Sequence, residues 1–104
     1  MKIIAYDHFK PGITKGNIKA DLLKEEMAHV WGLQKAGVIR EIYDRADAPG
    51  AVIVFECGTV DDVKEHVAAF PLSKAGFLEW NFLPLIAPFP FEVLFDTSLA
   101  RTVR

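Results

Sequence analysis

The fold turns on residues 38–57, "VIREIYDRADAPGAVIVFEC". Two runs rich in β-branched and aromatic residues, 38–45 and 51–57, flank a Pro-Gly turn, which is the pattern of a β-hairpin. The second run is apolar on both faces. Ala51, Ile53 and Phe55 share one side and Val52 and Val54 the other, because side chains alternate along a strand. A strand apolar on both sides is expected to be covered on both sides.

The flanking sequence supplies one cover. Residues 2–9, "KIIAYDHF", read as a strand with Ile4, Tyr6 and His8 on one face and Ile3, Ala5, Asp7 and Phe9 on the other. Asn17 is a fitting N-cap for a helix over 18–36 that Gly37 ends. Thr59 with Asp62 resembles a capping box and opens a second helix, in which Val63, Val67 and Phe70 share a face before Pro71 stops it. "LSKAG" is a short connecting turn, and "FLEWNFLPLIAPF" (77–89) a last strand, which Pro84 assigns to an edge. "FEVLF" reads as a short strand or arm.

The order βαββαβ predicts an α+β, ferredoxin-like fold with an antiparallel sheet and the first and third strands central. Two helices cover one face only. The other face is expected to meet a second copy of the same sheet, giving a homodimer; the alternative is an arm, residues 85–104, folded back over it.

The chain has 104 residues, 51% hydrophobic and 25% charged, which fits a single domain, 1–104, with a packed core. A net charge of −2 without a basic run argues against a nucleic-acid partner. No apolar run is long enough for a membrane helix, and the N-terminus lacks a signal-peptide pattern. Cys57 is the sole cysteine, so a reducing cytoplasm is the simplest compartment. No metal or phosphate-binding motif is present, and neither metal nor cofactor is expected.

The chemistry-bearing anomaly is on the first helix. At about 100° per residue, with Leu22 at zero, Leu33 falls near 20° and Val30 near 80°. Glu26 lands near 40°, inside the apolar stripe, and His29 near −20°, on its edge. A buried carboxylate must be paired, protonated or beside a polar cavity, and each option tunes it for proton transfer. Either Glu26 pairs with Arg40 as an ion pair without chemistry, or Glu26, His29 and Arg40 are catalytic and converge on a cleft under the helix. Tyr6, His8, Tyr43 and Trp80 are the candidate substrate-binding residues. Asp7 and His8 point to opposite faces and cannot form a dyad within one chain.

The stretches "GLQKAGVIREIYDRADAPGAVIVFE" (32–56) and "FPLSKAGFLEWNFLPL" (70–85), with the βαββαβ order, resemble the muconolactone delta-isomerase-like proteins of the dimeric α/β-barrel superfamily. The likeness spans about residues 3 to 95. It implies a cofactor-free proton shift on an unsaturated lactone or related aromatic-catabolism product. Glu26 or His29 would act as base and acid, and Arg40 or Tyr6 would hold the developing enolate. His29 departs from the apolar residue expected there in the namesake enzymes. The resemblance leaves two other functions open: a non-catalytic small-ligand-binding dimer, and a cofactor-independent monooxygenase of aromatic polyketide-type substrates.

Overall fold

The computed structural model describes residues 1–98; residues 99–104, the end of the expected arm, lie outside it. Strand β1 (Lys2–Phe9) is followed by a 3-10 turn (Lys15–Asn17) and helix α1 (Ala20–Lys35). Strands β2 (Ile39–Asp44) and β3 (Ala51–Glu56) form the hairpin. Helix α2 (Val60–Ala68), a single turn α3 (Pro71–Lys74) and strand β4 (Leu78–Pro84) complete the plan. The sheet order is β2-β3-β1-β4 with every pair antiparallel. This is the ferredoxin-like α+β fold, with β1 and β3 central.

Local chemistry explains where the elements stop. Asn17 does not cap α1. Its side chain accepts from the Thr14 amide at 2.7 Å and closes the preceding 3-10 turn, so α1 starts at Ala20. Thr59 does cap α2, accepting from the Asp62 amide at 3.1 Å while Asp62 accepts from the Thr59 amide. The sequence L-x-K-A-G occurs at 33–37 and 72–76, and both copies end a helix in the same way. Gly37 and Gly76 each have φ +80°. The amides of Val38 and Phe77 donate back to the carbonyls of Leu33 and Leu72, the Schellman closure that favours glycine. Strand β4 is shorter than 77–89: it ends at Pro84, which sits at the sheet edge and has no amide proton to extend the ladder.

Strand alternation assigns the faces. Ile3, Ala5 and Asp7 of β1, with Ile53 and Phe55 of β3, are buried beneath the helices, where Val30, Val63, Val67 and Phe70 meet them. Phe55 and Phe70 have no exposed surface, and burial of each contributes about 2–3 kcal/mol. The opposite face carries Ile4, Tyr6, Val52 and Val54, all half-exposed. The described part of the arm does not fold back to bury its own apolar groups. It forms a 3-10 turn (Phe89–Leu94), and Ile86, Phe91, Leu94 and Phe95 are exposed.

Candidate functional site

The space under α1 is not filled. A cavity of about 520 Å³ opens between α1, the 3-10 turn and the ends of β1, β2 and β3. Its walls are apolar in the main, with Ile18, Met27, Val30, Ile53, Leu78 and Trp80 among them. Three acidic residues line it, Glu26 from the helix, Asp7 from the central strand and Asp44 from the end of β2, and of these Glu26 and Asp7 are buried. Among the described residues, Glu26 and Asp7 are the only buried side chains of a charge-bearing type, at 5% and 6% exposure.

Each carboxyl is held by one backbone amide. The Leu72 amide, in the first turn of α3, donates to Glu26 Oε1 at 3.0 Å. The Ala51 amide, at the start of β3, donates to Asp7 Oδ1 at 2.7 Å. The hairpin turn must close tightly over Asp7 to deliver that bond. Gly50, at φ +147°, lets it: a Cβ there would lie 2.5 Å from the Asp7 carbonyl oxygen and 3.3 Å from Oδ1.

Burial raises the pKa of both groups above the ordinary carboxylate range, because the ionised form loses water. The amide bonds from Ala51 and Leu72 oppose the shift. For Glu26 the nearby Asp7 charge raises it further. For Asp7 the charge of His8 lowers the pKa and that of Asp44 raises it. At the cavity wall Lys15 and Arg45 add positive charge. Arg45 is oriented by a two-point pair with Asp47, at 2.9 and 2.8 Å.

The structure separates the residues expected to converge. Glu26 lines the cavity. Trp80 does too, fixed by a bond from its Nε1 to Ser73 Oγ at 2.9 Å and by edge contact with Phe70 at 5.7 Å between centroids. Tyr43 borders the cavity, but its hydroxyl donates to Glu41 at 2.7 Å, and that bond raises its pKa. His29 is not in the cavity wall; its ring packs edge-on against Phe70 at 5.1 Å.

Arg40 does not meet Glu26. It sits at a bulge between Ile39 and Glu41, exposed, and its Nε donates to the Gly37 carbonyl at 2.8 Å. Tyr6 and His8 are on the opposite sheet face, where His8 pairs with Glu79 at 2.8 Å across the β1–β4 ladder. The expected cleft of Glu26, His29, Arg40, Tyr6 and His8 is therefore corrected to one of Glu26, Asp7 and Trp80. The signal for Asp7 was present in the alternation: it shares its face with Ile3 and Ala5, a polar residue on the buried register.

Among the described residues, no cluster of His, Cys, Asp and Glu is grouped to hold a metal ion, and no helix is long and apolar enough to cross a membrane. No family model matches the chain, and no curated protein matches it in sequence. Among solved structures, the chain is similar to 5-chloro-2-hydroxyhydroquinone dehydrochlorinase from Burkholderia phenoliruptrix, solved with 2,5-dihydroxybenzoquinone bound. The two share 18% sequence identity at a TM-score of 0.68, over 85% of this chain and 96% of the other. That likeness is one of fold.

Proposed function

We propose that the protein is a small-molecule enzyme of the muconolactone delta-isomerase-like type. It performs a cofactor-free proton shift on an unsaturated lactone or a related ring from aromatic catabolism. The observation that carries this reading is Glu26: a carboxyl at 5% exposure, on one backbone hydrogen bond, facing an apolar cavity of about 520 Å³. A buried acid whose pKa is raised by desolvation is tuned for proton transfer, as moving a proton between two carbons of a conjugated system requires. The cavity volume suits a single small ring. The dehydrochlorinase neighbour is named for a reaction on such a ring.

The working form is a homodimer packed sheet to sheet. Its support is the stripe of Ile4, Tyr6, Val52, Val54 and Leu83, apolar or aromatic side chains on the face the helices leave uncovered. In that arrangement the seam and the cavity lie on opposite faces, and each protomer keeps its own pocket.

The test is proton exchange. Muconolactone is incubated with the protein in D2O and followed by NMR. The expected result is deuterium at the carbon beside the carbonyl, lost in Glu26→Gln. Binding of muconolactone or of dihydroxybenzoquinone without exchange or conversion would replace the enzyme with a ligand-binding dimer. Oxygen consumption with a quinol would replace the isomerase with a cofactor-independent oxygenase.

A further inference from the structure

We propose that Asp7 and Glu26 form one carboxyl pair that carries a single proton, with Asp7 as the base and Glu26 as the acid. The assignment deepens the proton-transfer reading of the cavity and names a residue the sequence pattern left aside.

The two side chains come from two of the elements that enclose the cavity, β1 and α1, and both are in its wall. Both are more than nine-tenths buried. No cation is bonded to either; among the described residues their hydrogen-bond partners are the amides of Ala51 and Leu72. Two ionised carboxylates in one largely apolar cavity repel with less screening than in bulk water, so the favoured state holds one proton between them.

The environments decide which group keeps it. Asp7 accepts the shorter bond, 2.7 Å, and lies beside His8, and both favour its anion. Asp44, the other acidic group near it, acts in the opposite sense. Glu26 accepts a longer bond, 3.0 Å, and feels the Asp7 charge, while Lys15 and Arg45 share the cavity wall with both carboxyls. Asp7 is thus the ionised member and Glu26 the protonated one.

The step balances. Asp7 carboxylate takes the proton from the γ-carbon that bears the ring oxygen, and the C–H electron pair passes through the conjugated double bond to the carbonyl oxygen as a dienolate. The Glu26 carboxylic acid then donates its proton to the carbon beside the carbonyl, which takes up the returning electron pair and leaves the double bond shifted by one position. Asp7 is left protonated and Glu26 ionised. Transfer of one proton from Asp7 to Glu26 restores the pair, and no oxidant, reductant or metal is consumed.

The test needs no substrate. The side-chain carboxyl carbons of Asp and Glu are labelled with 13C, and the Asp7 and Glu26 signals are followed against pH in the intact protein. The expected result is a Glu26 midpoint above the ordinary carboxylate range that falls in Asp7→Asn by roughly one pH unit, a tenfold change in proton affinity. An unchanged Glu26 midpoint in Asp7→Asn would overturn the pair. If that variant does not fold, the wild-type curves decide: coupled groups each report both titration steps, and independent groups one step each. Muconolactone exchange is measured on the same samples. A coupled titration without exchange would sink the isomerase reading and leave the pair standing; exchange with uncoupled titrations would do the reverse.

Discussion

The two faces of β1 carry the same kinds of residue and put them to different use. On the outer face, His8 and Glu79 are hydrogen-bonded at 2.8 Å, with about half of each side chain in solvent. Water screens such a pair, and its contribution to stability is about 0–1 kcal/mol. On the inner face, one residue away, Asp7 lines the same cavity as Glu26, among Val30, Ile53 and Leu78. There no ion pair forms, and burial drives both carboxyls toward their neutral forms. The alternation of one strand thus sorts charged residues into a solvated set and a chemically tuned set. What separates them is the medium, not the residue type.

The largest expected effect is on Glu26. Glu26→Gln keeps an oxygen for the Leu72 amide and removes the transferable proton, so lactone turnover should fall by roughly 10²–10⁴, the usual worth of a positioned acid or base. Turnover at the wild-type rate would erase the distinction between the faces. The same variant sharpens the comparison through stability. A carboxyl whose pKa is raised in the folded state binds its proton more tightly there than when unfolded. Its stabilising contribution is complete below the unfolded values, near 3.8 for Asp and 4.5 for Glu, and is lost as pH rises through the raised folded values. Glu26→Gln is therefore expected to melt higher than wild type at pH 7 and to lose that advantage by about pH 4. Thermal unfolding across the range checks the sign. A wild type stabilised by rising pH through this window would mean the carboxyls are paired, not desolvated.

Next in size is Gly50→Ala. The added methyl group meets the Asp7 carbonyl oxygen, and the φ of +147° is strained for alanine. The cost is about 2–3 kcal/mol, visible as a clear drop in melting temperature. An unchanged melting temperature would show that the hairpin turn can relax away from Asp7. The outer face is tested by Val54→Lys, which places a charge in the proposed seam opposite Ile4. Dimer dissociation should strengthen at least about tenfold, the effect of one unpaired charge in an apolar interface, read by sedimentation. A dimer of undiminished affinity would place the contact elsewhere.

Much of this was legible in the sequence. The Pro-Gly hairpin, the double-sided β3 and the wheel position of Glu26 follow from periods of two and 3.6, and those periods survive folding. The site around Glu26 was not fully legible. Strand alternation separates Asp7 from His8 but does not say which of the two faces the helices take. Tyr6 and His8 are both aromatic and titratable, yet Ile3 and Ala5, apolar and fully buried, mark the inner register. The Glu26 partner was equally hidden. A backbone amide carries no residue signature, so the bond from Leu72 could not be read from composition, and Arg40 stood in its place as the nearest cation. The bulge at Ile39/Glu41 then shifts the register that would have oriented Arg40, and nothing in "VIREIYD" announces it.

The smallest expected effects are at Arg40 and His8, and they test the comparison from its outer side. The Arg40 guanidinium tops the C-terminal end of α1 through the Gly37 carbonyl, an exposed bond at a helix end that contributes about 0.5–1 kcal/mol. Arg40→Ala should lower the melting temperature slightly and leave lactone turnover within about twofold, a rate change below 0.5 kcal/mol. His8→Ala removes a solvated pair with Glu79 and should act in the same way. The pair of variants discriminates because the two residues lie outside the cavity wall for different reasons, one at a strand bulge and one across the sheet. A large loss in Arg40→Ala alone would bring β2 into the chemistry. A large loss in His8→Ala alone would move the reacting surface to the outer face, where a second protomer would have to complete it. Small losses in both leave the chemistry with the inner face, where Asp7 and Glu26 are the titratable groups removed from water.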